Sequence, residues 1–167
     1  MVSSTKGNVA GQLRMLWFLI LSVPLLAGVG LTLVIHQGLL QATGQLLPRP
    51  TLWTVAMVAM VITLLVARPL SNWLFSPERL AAMTVQGHTN LPEDPQQLAE
   101  LKTRASMFMA LGMLDAVSMI LIGVSVFQAD AQLALLNGVY ALVLAAVAKP
   151  DFSTLIRETL GLLRQQS

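Results

Sequence analysis

Four stretches of this 167-residue chain are apolar for the length of a membrane-spanning helix, and together they take up more than half of it. They run over about 14–36, 52–75, 105–128 and 131–148. A helix rising ~1.5 Å per residue needs about 17–25 apolar residues to cross a ~30 Å hydrocarbon core. In lipid a backbone must satisfy its own hydrogen bonds, so apolar stretches of this length are read as helices. The second is interrupted by Arg68 and Pro69, and the fourth is near the lower limit of length. Only 11% of the residues are charged, against roughly 25% in a soluble domain. With 55% hydrophobic residues and a mean hydropathy of +0.71, the surface of this chain faces lipid. The expected fold is all-α: a polytopic membrane protein with four transmembrane helices, a short cytoplasmic loop helix and a C-terminal amphipathic helix, forming one membrane domain over 1–167.

The distribution of lysine and arginine orients the spans, because cytoplasmic loops carry an excess of both. Lys6 and Arg14 precede the first span. Only Arg49 lies in the first loop. Arg79, Lys102 and Arg104 lie in the second, at 76–104, with Arg68 close by, and Lys149, Arg157 and Arg164 follow the fourth span. Nine of the ten basic residues thus fall on one side of an alternating four-span arrangement. That side is expected to be the cytoplasm of a bacterial-type inner membrane, with both termini on it. The first span imitates a signal peptide, but it exceeds the ~7–15 residues of such a core and no A-x-A site closes it, so it is read as an uncleaved helix.

The second loop carries local structure. Ser76-Pro77-Glu78 combines a hydroxyl cap, proline at the first helical position and an acid near the positive helix end, which predicts a short helix stopping near Gly87. Asp94-Pro95 repeats the signal. No breaker follows until the third span is complete, so one long helix should begin outside the membrane and enter it, with Glu100 and Arg104 paired one turn apart. The tail at 151–165 is amphipathic: Phe152, Leu155, Ile156, Leu160 and Leu163 recur at helical spacing. It is read as lying in the interface plane; a helix packed under the bundle fits the same pattern.

Asp115 stands near the middle of the third span. A carboxyl there costs at least ~2.5–3.5 kcal/mol on insertion scales, so it needs a partner, a proton or a water-filled path. Two readings stay open: an ion-binding carboxyl, or a buried acid that pairs with another helix and fixes packing. Arg68 is the candidate partner. It lies about seven residues inside the membrane, roughly 10 Å, and Asp115 about nine residues beyond Ser106, roughly 13 Å from the same side. A helical hairpin would bring them together as a buried ion pair; the alternative is that Arg68 snorkels to the headgroups. Gly112, Ala116 and Gly123 give the same helix a small-residue face for helix packing, and Asn137 with Gly138 suits an interhelical hydrogen bond at close approach. Pro24, with Gly28 and Gly30 nearby, reads as a kink.

Other chemistry is not indicated. There is no cysteine, and His36 and His88 have no second ligand at metal spacing, so neither a metal site nor a cofactor is expected. The net charge of +2 is spread along the chain and points to no nucleic acid. No nucleophile–base pair, phosphate loop or dinucleotide motif is present, so no catalytic residue is assigned and the chain is not read as an enzyme.

The stretch from Arg104 through Gly112, Asp115-Ala116 and Met119-Ile120 to Gly123 resembles the second helix of the proteolipid c subunit of rotary ATP synthases. Upstream, Gly87 and Pro92-Glu93 resemble that family's polar loop, so the likeness spans about 87–123. It implies a proton or sodium ion bound at Asp115. The second span lacks the spaced glycines of that family's first helix and carries Trp53, Arg68, Pro69 and Trp73 instead.

The expected function is therefore a small structural or assembly subunit of a multi-subunit inner-membrane complex, such as a secretion or conjugation apparatus. Its partners are the bilayer and further copies of itself or other membrane subunits, with no small-molecule substrate evident. The alternative is a c-like proteolipid that binds a proton or sodium at Asp115 in an ion-translocating assembly.

Overall fold

A computed structural model of the chain describes residues 9–84, 92 and 94–166. Within them every regular element is a helix. The order is α1 (Val9–His36), α2 (Arg49–Leu74), α3 (Pro77–Ala82), α4 (Pro95–Gln128), α5 (Ala131–Val147) and α6 (Phe152–Gln166). Among the described residues α1, α2 and α4 are long and apolar enough to cross a membrane. A fourth span is reached if α5 and α6, bent by 45° at their junction, count as one broken span. The outward faces of these helices are hydrocarbon, as at Leu26, Leu65 and Ile120, which fits a multi-pass membrane protein.

The helix ends follow the local signals, with differences. Asp94 accepts from Gln96 N and starts α4, which runs unbroken for 34 residues, or about 51 Å at ~1.5 Å per residue. Its first turns therefore project beyond a ~30 Å hydrocarbon core. Ser76 stands at the cap of α3, but its hydroxyl makes no capping bond. The helix ends at Ala82, short of the expected stop; Gly87 and His88 lie outside the described residues. Glu100 accepts from Gln96 Nε2 at 3.2 Å instead of pairing with Arg104. The helix α1 continues through Pro24.

The bundle is centred on the packing of α1 along α5, with α4 against both and α2 laid on α4 and α5. Two glycines set the α1–α5 distance. A Cβ on Gly28 would stand 2.5 Å from Ala134 O, and one on Gly138 would stand 2.6 Å from Leu25 Cα. Gly28 thus serves close approach, a role its position near Pro24 does not reveal.

One end of the bundle is knitted by buried polar and aromatic contacts. Trp17 is fully buried, donates from Nε1 to Ala145 O at 3.0 Å, and meets Phe75 and Phe152 edge to face. Ser71 Oγ donates to Ala148 O and Ser106 Oγ to Leu74 O, both at 2.8 Å. Lys102 donates to Ala81 O, tying α4 to the end of α3. The tail helix α6 buries Phe152, Leu155, Thr159 and Leu163 and packs on α3 and α4, so its apolar stripe is covered by protein.

At the other end Asp130 holds the turn between α4 and α5. The chain reaches it through Ala129, whose φ of 51° is left-handed. The Asp130 carboxylate accepts from Leu133 N (3.0 Å), Trp53 Nε1 (3.1 Å) and Arg49 Nε (3.3 Å). Burial alone would raise this acid, but those donors and the Arg49 charge outweigh it and hold the carboxyl below its ordinary 3.8. A depressed folded-state value means the stabilisation is complete above 3.8 and lost as pH falls through the folded value. Acid titration of the detergent-solubilised protein should therefore show a loss of stability below that pH, and Asp130→Asn should remove part of it.

A buried acid beside an open helix face

The candidate site is built on α4. At ~100° per residue, Leu111, Leu114 and Ser118 turn into the bundle, and Phe108, Gly112, Ala116 and Met119 turn out of it. Asp115 sits on the border between the two sets. Its side chain is buried at 6% exposure, yet it lines a surface groove of about 260 Å³ between α1 and α4. Ile20 of α1 forms one wall; Leu111, Gly112, Ala116 and Met119 form the other.

Behind the acid lies a polar chain through the bundle interior. Asn137 of α5 donates from Nδ2 to both Ser118 O and Ser118 Oγ at 3.0 Å. The Ser118 hydroxyl is within reach of the Asp115 carboxylate, so its proton is free to point at the acid. Among the described residues the acceptors Asp115 Oδ1 and Asn137 Oδ1 are buried without partners. The Tyr140 hydroxyl, one turn from Asn137, faces Thr63 of α2, which donates to Ala59 O at 2.8 Å and so keeps its oxygen free to accept from the phenol. Unmatched oxygens are expensive where no water replaces the missing donor.

The Arg68–Asp115 pair anticipated across the α2–α4 hairpin does not form. Arg68 is exposed on α2 and makes no ion pair among the described residues, while Asp115 borders a groove toward α1. The reason is azimuth. Ser106 faces α2 through its bond to Leu74 O, and nine residues further along a helix is about half a turn away. Gly112, Ala116 and Gly123 all lie on the exposed face, where a Cβ on either glycine would meet nothing within 4 Å. Among the described residues no helix packs there. Asn137 and Gly138, in contrast, are fully inside, one bonded to α4 and the other pressed on α1. Gly87 and Glu93 of the loop likeness lie outside the described residues.

Sequence reasoning did not identify Ser118 or Tyr140. Each follows from the helical repeat once Asp115 and Asn137 are singled out, since both are three residues away. A larger cavity, of about 520 Å³, lies at the Asp130 end between Gly44, Gln45, Arg49, Gln128 and Gln132. Its charges, Arg49 and Asp130, already satisfy each other. Among the described residues no group of three or more acids and histidines stands close enough to hold a metal ion.

Comparison of the chain with protein-family models, with curated proteins and with solved structures finds no match.

Proposed function

We propose that this chain is a small structural or assembly subunit of a multi-subunit inner-membrane complex, of the kind found in secretion and conjugation machinery. It associates through its transmembrane helices. One observation carries the reading: the α4 face at Gly112, Ala116 and Gly123 is open, and beside it stands a buried carboxyl with an unmatched oxygen. Small residues allow close helix approach, and a polar group in hydrocarbon favours a partner that supplies a donor.

The topology that goes with this function has four spans, with α5 as the short fourth. The N-terminus, the 76–104 loop and the C-terminus are cytoplasmic, as the nine-to-one division of lysine and arginine supports. The chain has no cysteine, so single cysteines report position cleanly. Those placed at Ser4, Thr89 and Ser167 should resist an impermeant thiol reagent in intact cells, while one at Thr43 should react. Labelling of Thr89 from outside would rule this topology out.

A second reading, the c-like proteolipid, is favoured by the two unmatched oxygens of Asp115 and Asn137 flanking Ser118. Oxygens without donors suit a proton or sodium ion. Carbodiimide labelling of Asp115 that protons or sodium prevent would move the assignment to that reading.

A further inference from the structure

Two ionisable groups in the apolar part of the bundle have no counter-charge among the described residues. Asp115 is buried but borders the groove, and its Oδ1, wholly inside, has no hydrogen-bond partner among the described residues. Arg68 projects from the exposed face of α2 and makes no hydrogen bond or ion pair among the described residues. Both are costly in hydrocarbon if left alone.

Their depths correspond. The bond from Ser106 Oγ to Leu74 O fixes the register of α4 against α2. From that level Arg68 lies six residues along α2, roughly 9 Å, and Asp115 nine residues along α4, roughly 13 Å. The difference of about 4 Å is shorter than an arginine side chain. Within one chain the half-turn on α4 keeps the two apart. Two copies inserted with the same orientation hold both charges at this shared depth, so lateral contact can join them.

We propose that the occupant of the α1–α4 groove is a second copy of this chain, whose α2 presents Arg68 to Asp115; this rests on the assembly reading above. The same sequence supplies both complementary charges at one level, which an unrelated partner would have to match separately. Gly112 and Ala116 leave the groove rim low enough for the incoming α2. The guanidinium, with several donors, meets the Asp115 carboxylate where it borders the groove and places a positive charge against it. One contact thereby compensates both groups.

The test uses the full chain in its own membrane. Leu65 is nine residues from Leu74 on α2 and Ala116 is ten from Ser106 on α4, so cysteines at these two exposed positions lie at nearly the same depth. Oxidation of Leu65→Cys/Ala116→Cys should give a disulfide-linked dimer. Adding either Arg68→Gln or Asp115→Asn should lower its yield by about tenfold. Co-expressing the two variants under different tags should restore cross-linking between unlike chains, because each supplies the charge the other lacks. Unchanged yield in both single variants, or no recovery on mixing, overturns the pairing. If no dimer forms while the chain still purifies within a larger complex, the pairing fails and the assembly reading survives; a lone chain under all conditions removes both.

Discussion

Gly138→Ala and Gly28→Ala are expected to be among the most destabilising single-methyl changes in the protein. Helix propensity alone argues the opposite, since alanine is favoured over glycine by about 1 kcal/mol inside a helix. Packing decides the sign. The new Cβ would lie 2.6 Å from Leu25 Cα in one case and 2.5 Å from Ala134 O in the other, and both obstacles are backbone. Neither can rotate away, so α1 and α5 must separate along the interface that centres the bundle. Overpacking of this kind costs about 1–3 kcal/mol, with a rigid obstacle placing it at the upper end. The net loss is on the order of 2 kcal/mol, or roughly 4–8 °C in a thermal melt of a chain this size. Gly30→Ala, whose Cβ would meet nothing, should melt at or slightly above wild type.

The second large effect falls on Asp115 and concerns assembly rather than the fold of one chain. Asp115→Asn keeps the shape and an acceptor oxygen but loses the charge; Asp115→Leu loses both. Leucine at the border of the groove should be accommodated, because the groove walls are already Ile20, Leu111 and Met119. The single chain should therefore still fold. The assembled fraction should rank wild type, then asparagine, then leucine, with asparagine lower by about tenfold and leucine lower still. If the carboxyl carries ions instead, asparagine should abolish function while leaving the assembled fraction unchanged. Native mass measurement of particles in lipid nanodiscs distinguishes the two.

Much of this architecture is written in the pattern of apolar runs. A stretch too long for a soluble strand and interrupted by few charges has one solution in lipid, and α1, α2 and α4 follow from that argument alone. The long α4 follows from Asp94-Pro95 and the absence of a breaker after it. The α3 boundary was less legible, because six residues give a helix little cooperativity and its end is set by contacts with α4 and α6. The tail pattern shows an apolar stripe but not what covers it; covering is a tertiary fact, and here it is α3 and α4.

The acid and its possible partner show most clearly where sequence runs out. Residue counting places Arg68 and Asp115 at similar depth, because rise per residue is nearly constant. It does not place them at the same azimuth unless one interhelical contact is known. Ser106 to Leu74 O is that contact, and from it the half-turn to Asp115 follows directly. The interior polar chain was partly legible: Ser118 lies one helical turn from Asp115 and Asn137 in an apolar helix calls for a partner, but that the two bond each other required α4 and α5 to be set side by side.

The most direct test of the assembly account is the mass of the particle that wild-type protein occupies when a patch of its own membrane is released around it without detergent. The account predicts the 18.0 kDa chain in a particle holding several copies or further protein subunits, and a shift of the Asp115→Leu variant toward the lone chain. A wild-type particle containing one 18.0 kDa chain and lipid, unchanged by that substitution, would contradict it.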